Sequence, residues 1–307
     1  MKKNKIWITG SGMVGKALIK KLSTNKKYQI LRSSKNKLDQ INQTKTDSWI
    51  KKNRPDTIII SSALVGGIQL NSSIPADFLY QNSMMYLNII NSAHNYGCKK
   101  IIFLGASCMY PKLGKQPFKE NLILNGKIEE TNEGYGISKI LGVKFLELIN
   151  KQYLTNHISI IPAASYGPND CYDENKNHVI PALINKFHTA KIKKRSQVNI
   201  WGSGNVKREF IHVDDMASGI IHIIENYREN SPINLGTGEE FTIKKLANII
   251  KKVVNYKGKI EFDKSKPDGI KRKILDNSRL KKLGWKPNIS IEEGIKNTYQ
   301  DILKNKI

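Results

Sequence analysis

The feature that most constrains this chain is a glycine spacing near its start. The short apolar segment Ile6–Ile8 runs into Gly10-Ser11-Gly12-Met13-Val14-Gly15, and Val14–Leu22 then carries apolar residues at helical spacing. Such a spacing arises by chance in a chain with 22 glycines; its place between a strand and a helix gives it weight. The glycines allow a tight turn. They also let the backbone N–H groups of Gly10, Gly12, Met13, Val14 and Gly15 approach a dinucleotide pyrophosphate at the positive end of the helix.

The first half continues as this start predicts. Strand-like runs at 29–31, 57–60, 100–104 and 157–161 alternate with amphipathic stretches at 80–95 and 135–152. The expected fold class is α/β: a Rossmann-type doubly wound parallel sheet with a second, smaller α/β substrate domain. After Pro162 the alternation loosens. A Gly/Pro/Asn/Asp-rich stretch at 166–177 leads to a helical pattern at 178–190, and 209–226 reads again as strand then helix. The expected division is 1–165 for the dinucleotide domain, with a return near 209–230, and 166–307 for the smaller domain.

Composition narrows the function. The net charge of +25 comes from 51 Lys and Arg against 26 Asp and Glu. These cations are scattered rather than clustered, so they read as a solvated surface that attracts small anions, not as a nucleic-acid stripe. No apolar run approaches the roughly 20 residues that cross a bilayer, and the N-terminus MKKNKIWITG passes directly into a strand. A cytoplasmic protein with no membrane partner is expected. Cys98, Cys108 and Cys171 are odd in number and lack C-x-x-C spacing, which speaks against a disulfide framework or a metal site.

About 20 residues past the glycine turn, where a carboxylate would receive an NAD ribose, the chain reads Leu31-Arg32-Ser33-Ser34-Lys35. A guanidinium, hydroxyls and an ammonium suit a 2′-phosphate, so NADPH/NADP is favoured through Arg32, Ser33 and Lys35. The bland alternative is that Arg32 and Lys35 are solvated loop charges.

Further on, Glu133-Gly134-Tyr135-Gly136-Ile137-Ser138-Lys139 puts Tyr135 and Lys139 four residues apart on one helical face. A neighbouring ammonium, with the positive nicotinamide, is expected to draw the phenol's pKa down so that it exchanges a proton during hydride transfer. Y-x-x-x-K is common by itself. It follows a dinucleotide fingerprint by about 120 residues and comes after a strand ending in Gly105-Ala106-Ser107-Cys108, which makes it persuasive.

Several longer segments bear a likeness to one family. They include Ala63-Leu64-Val65-Gly66-Gly67-Ile68, Pro75-Ala76-Asp77-Phe78, Cys108-Met109-Tyr110-Pro111-Lys112-Leu113, Asn177-His178-Val179-Ile180-Pro181-Ala182, Trp201-Gly202-Ser203-Gly204, Arg208-Glu209-Phe210-Ile211-His212-Val213-Asp214-Asp215 and Lys266-Pro267-Asp268-Gly269. Nearly end to end, the chain resembles the GDP-L-fucose synthase family of extended short-chain dehydrogenase/reductases, which epimerise and reduce a GDP-4-keto-6-deoxy sugar. The resemblance implies that Tyr135 donates a proton to the C4 oxygen, with Lys139 tuning it and holding the nicotinamide ribose. It implies that Cys108 and His178 are the acid/base pair for inversion at C3 and C5, and that Ala63 and His178 also border the cofactor. Lys186, Trp201, Arg208 and Lys273 would line the GDP end of the substrate site. It further implies a homodimer, formed through helices of the cofactor domain.

Three departures stand out. Ala106 replaces the family's catalytic serine, leaving Ser107 as the nearest hydroxyl; the glycine turn is one residue short; and Ala164 replaces an asparagine. The leading expectation is a bifunctional epimerase and reductase making GDP-L-fucose or a close relative. The alternative is a C4 reductase only, acting on a GDP-4-keto-6-deoxy-heptose or similar sugar. A non-catalytic NADP-binding protein is a third possibility, motivated by Ala106.

Overall fold

In the computed structural model, which describes residues 3–33, 38–173, 177–266 and 268–306, the chain builds β1 (Asn4–Ile8), α1 (Met13–Ser23), β2 (Tyr28–Arg32), α2 (Gln43–Asn53), β3 (Thr57–Ile60), α3 (Ile68–Ser73), α4 (Pro75–Asn95), β4 (Lys100–Leu104), α5 (Glu133–Tyr153), β5 (Ile158–Pro162) and β6 (Ala164–Tyr166). There follow α6 (Val179–Ile192), β7 (Gln197–Trp201), β8 (Lys207–His212), α7 (Val213–Asn226), β9 (Ile233–Leu235), β10 (Glu240–Thr242), α8 (Ile243–Val254), β11 (Lys259–Asp263), β12 (Arg272–Lys273), α9 (Ser278–Lys282) and α10 (Ile291–Lys306).

The main sheet has six parallel strands in the order β2-β1-β3-β4-β5-β9. Its central strands TIII and ISIIP are buried throughout, because helices cover both faces and neither face needs polar residues. The strand order reverses between β1 and β3. In doubly wound sheets a ligand crevice opens at the carboxyl ends of the strands at that switch point.

A second core lies beyond it, built from α6, α8 and α10 with Ile180, Leu183, Phe187, Leu246, Ile250 and Ile295. The small sheet β10-β8-β12, with β6 on β8, sits between the cores, and β7 pairs with β11 nearby. The chain then re-enters the first core: α7 packs on α1 and β9 joins the sheet edge beside β5. A buried polar knot fastens the crossing. Asn234 accepts from the Tyr110 hydroxyl (2.6 Å) and donates to the carbonyls of Phe118 (2.9 Å) and Asp276 (3.0 Å). Glu209 accepts from the N–H groups of Leu275 (2.8 Å) and Gly238 (2.7 Å).

Candidate active site

The glycine turn sits at the switch point. A Cβ on Gly15 would stand 1.9 Å from the Gly10 carbonyl oxygen, so only glycine lets α1 press this closely on the strand that precedes it. Gly10 donates its N–H to Ser61 Oγ (3.1 Å), tying the turn to the end of β3. A Cβ on Gly12 would meet nothing within 4 Å, and no side chain caps the first turn of α1. Open space and uncapped N–H groups of Met13 and Val14 thus meet at one point, which suits a pyrophosphate.

Arg32 ends β2 with an exposed side chain. Ser33 is buried, and its hydroxyl already accepts from the Trp7 indole N–H (3.0 Å), so it retains a donor for an anion. Lys35 lies outside the described residues. Ala63 is half-buried on the loop after β3, which Asn82 of α4 clamps by accepting from Leu64 N–H (2.7 Å) and donating to its carbonyl (3.1 Å).

Tyr135 and Lys139 lie one turn apart on α5, as their spacing predicted. Lys139 Nζ stands 5.6 Å from the Tyr135 ring centre and donates to the Leu104 carbonyl at the end of β4 (2.7 Å). It is almost wholly buried, with the rings of Tyr86 (4.7 Å) and Phe103 (5.1 Å) also around it. Burial drops its pKa from 10.5 to about 7, against a weaker upward pull from Cys108. The expected lowering of the phenol does not appear. Burial of the phenol itself pushes Tyr135 well above the ordinary tyrosine range, with Cys108 adding to it.

Ser107 and Cys108 occupy a single 3₁₀ turn directly after β4, both half-buried, with Ala106 as its N-cap. The backbone here touches α5: a Cβ on Gly136 would fall 3.2 Å from the Cys108 carbonyl oxygen and 2.7 Å from Ile128 Cδ1. Burial raises the Cys108 thiol, while Lys273 and then Lys139 pull it back down. His178 stands at the N-cap of α6 in the second lobe, its side chain 47% exposed and its Nδ1 3.7 Å from Asp170 Oδ1. It hydrogen-bonds neither Cys108 nor Tyr135.

Of the residues expected to meet the nucleotide, Arg208 and Lys273 converge. Lys273 Nζ is 3.6 Å from Glu129 Oε2, and Arg208 donates from Nη1 to the carbonyls of Lys207 (2.9 Å) and Ile270 (2.7 Å). Burial lowers the Arg208 pKa, with Glu129 and Asp268 opposing. Trp201 is 70% exposed, with Lys266 Nζ 5.8 Å from its ring centre, so it offers a free flat face. Lys186 is exposed and donates to the Asn199 carbonyl (2.7 Å), and partial burial lowers its pKa.

Sequence reasoning missed Glu129, Tyr86, Phe103 and Asp170. No local spacing announces them. Tyr86 and Phe103 reach Lys139 from α4 and β4, and Glu129 meets Lys273 from a position 144 residues away in the chain. Among the described residues no group of His, Cys, Asp and Glu could hold a metal ion, and no helix is long and apolar enough to cross a membrane.

The model of the NAD dependent epimerase/dehydratase family matches residues 6–236. A GDP-L-fucose synthase of Escherichia coli (strain K12) is 44% identical over 315 aligned positions, covering 99% of this chain and 98% of the relative. Among solved structures, a GDP-6-OMe-4-keto-L-xylo-heptose reductase from Campylobacter jejuni superposes with a TM-score of 0.93 at 31% identity, covering 100% of this chain and 99% of the other. A GDP-mannoheptose C4 reductase from Campylobacter jejuni, with NADP bound, superposes at 0.89 and 32% identity, covering 99% of each chain. With the glycine turn at the switch point and Tyr135 beside Lys139, these likenesses show that the chain belongs to the NAD dependent epimerase/dehydratase family, on its GDP-L-fucose synthase branch.

Proposed function

We propose that this protein is an NADPH-dependent reductase acting at C4 of a GDP-linked 4-keto-6-deoxy sugar, and that it also inverts C3 and C5, giving GDP-L-fucose or a close relative. The observation that carries the reading is the buried Tyr135–Lys139 pair with the Cys108 turn packed on the same helix, in a parallel sheet whose glycine turn follows β1 at the switch point.

The fit to NADPH rests on the open space at Gly12 and the uncapped start of α1. Gly10 to Gly15 would hold the pyrophosphate, Arg32 and Ser33 the 2′-phosphate, and Lys139 the nicotinamide ribose. NADPH, when bound, supplies the hydride. Tyr135, kept protonated by its burial, is the acid for the C4 oxygen. Lys139 adds positive charge beside the phenol as negative charge gathers there.

For epimerisation, Cys108 and His178 would remove and return the acidic protons flanking the ketone. Arg208 and Lys273 neutralise the diphosphate, Trp201 stacks on base or ribose, and Lys186 lies at the rim. The second reading, C4 reduction without epimerisation on a GDP-heptose, is favoured by the two heptose reductases among the structural neighbours and by Ala106, which removes one hydroxyl from the ketone's surroundings.

One experiment separates the readings. The protein is incubated with NADPH and candidate GDP-keto sugars in deuterated water. Reduction with deuterium entering C3 and C5 supports the bifunctional enzyme. Reduction without exchange supports the reductase, and NADPH binding with no turnover of any keto sugar sinks both.

We further propose a cytoplasmic homodimer, built through the outer faces of α4 and α5. These faces expose Tyr80 (61%), Leu148 (61%) and Tyr153 (50%), large apolar side chains that a lone subunit would leave in water. Sedimentation should give twice the mass of one chain, and Leu148→Glu should give single chains; a monomeric parent would refute the assignment.

A further inference from the structure

Glu129 occupies the place in the crevice where an anionic ligand would contest its partners. Its Oε2 stands 3.6 Å from Lys273 Nζ, with both side chains only 17% exposed. Its Oε1 lies 3.7 Å from the point where a Cβ on Gly269 would stand, and Arg208 Nη2 lies 3.8 Å from the same point. The carboxylate therefore faces both cations assigned to the diphosphate. It also adjoins the thiol turn, since its chain neighbour Ile128 and the Cys108 carbonyl both press on Gly136. Lys273 and Glu129 act on the Cys108 thiol in opposite senses, the ammonium lowering its pKa and the carboxylate raising it.

A half-buried ammonium and guanidinium left unpaired would each carry a desolvation cost, and an internal carboxylate relieves it. A diphosphate brings more charge and more acceptor oxygens than a carboxylate, so it outcompetes that partner. We propose that Glu129 is a reserve counter-ion: it neutralises Lys273 and flanks Arg208 in the free protein, then yields both cations to the diphosphate of the nucleotide sugar, which couples filling of the nucleotide site to the charge around Cys108. This makes Glu129 a positioning residue. The inference rests on the GDP-sugar reading and adds a part to it.

The test has two arms. In the first, GDP is titrated calorimetrically into the parent and into Glu129→Gln, which keeps the shape and removes the charge. Glu129→Gln is expected to bind GDP about three- to tenfold more tightly, because the competitor is gone. Glu129→Asp, which retracts the charge by one methylene, should move the same way by less.

In the second arm, alkylation of Cys108 by iodoacetamide is followed from pH 6 to 10 without nucleotide, by mass spectrometry of its peptide so that Cys171 does not interfere. The midpoint should fall in Glu129→Gln and rise in Lys273→Met. If the parent binds GDP and Glu129→Gln binds it equally or more weakly, with an unmoved alkylation midpoint, the proposal is overturned. A parent that binds no GDP defeats the GDP-sugar reading itself, and the exchange falls with it.

Discussion

Burial sets the protonation of the two residues on which reduction turns. Folding lowers the proton affinity of Lys139 from 10.5 to about 7, so between those values the unfolded chain binds more protons than the folded one. Stability therefore rises with pH through that window, and the cost of the buried amine is fully present below about pH 7. Lys139→Met should be more stable than the parent near neutrality, by on the order of 2–4 kcal/mol, with the gap closing towards pH 10. Urea melts across pH check this.

Ala106 permits a second residue-scale experiment. Restoring a hydroxyl with Ala106→Ser should raise kcat for ketone reduction by about 10- to 100-fold if a donor is missing there, with little change in KM. An unchanged kcat would show that Ser107, Cys108 or solvent already supplies that hydrogen bond.

The Tyr135–Lys139 pair was legible because one helical turn brings both side chains together wherever the helix goes. The direction of the phenol's shift was not, since it depends on how deeply the assembled fold buries Tyr135, which no local spacing shows. Glu129 was hidden for the same reason.

At the scale of elements, the junction of β1 and α1 separates two kinds of glycine. Gly15→Ala would drive a methyl to within 1.9 Å of the Gly10 carbonyl oxygen, so α1 must shift. It is expected to lower the melting temperature and to abolish NADPH binding. Gly12→Ala meets no protein atom within 4 Å, so it should fold as the parent does while weakening NADPH at least tenfold by filling the ligand's space. Melting curves and NADPH fluorescence titrations distinguish the two. Equal effects on stability would contradict the geometry.

The parallel strands were readable because helices on both faces demand continuous apolar runs, as in β3 and β5. Of the small sheet, only β8 was, in the strand-then-helix pattern at 209–226. β6 has three residues and β12 has two, and both are held by pairing with β8 rather than by any pattern of their own.

For the molecule as a whole, contiguity in sequence does not match contiguity in space. The sheet edge beyond β5 is completed by Ile233–Leu235, and α1 is covered by α7. A fragment ending at residue 165 should therefore fail as an independent unit. It would expose the backbone of β5 and the apolar faces of α1, and is expected to aggregate on expression; a soluble fragment with cooperative melting would refute this. A co-expressed 166–307 piece should rescue solubility if the two halves find each other.

The re-entry of α7 and β9 also bears on protein engineering. Retargeting this enzyme by grafting a foreign sugar-recognition lobe cannot be done with one splice, because the polypeptide weaves out and back before it ends. A transplant must carry three separate stretches, because Leu275, Leu280 and Trp285 return to the first core before α10, and it must keep Asn234 and Glu209 as the rivets between old and new parts.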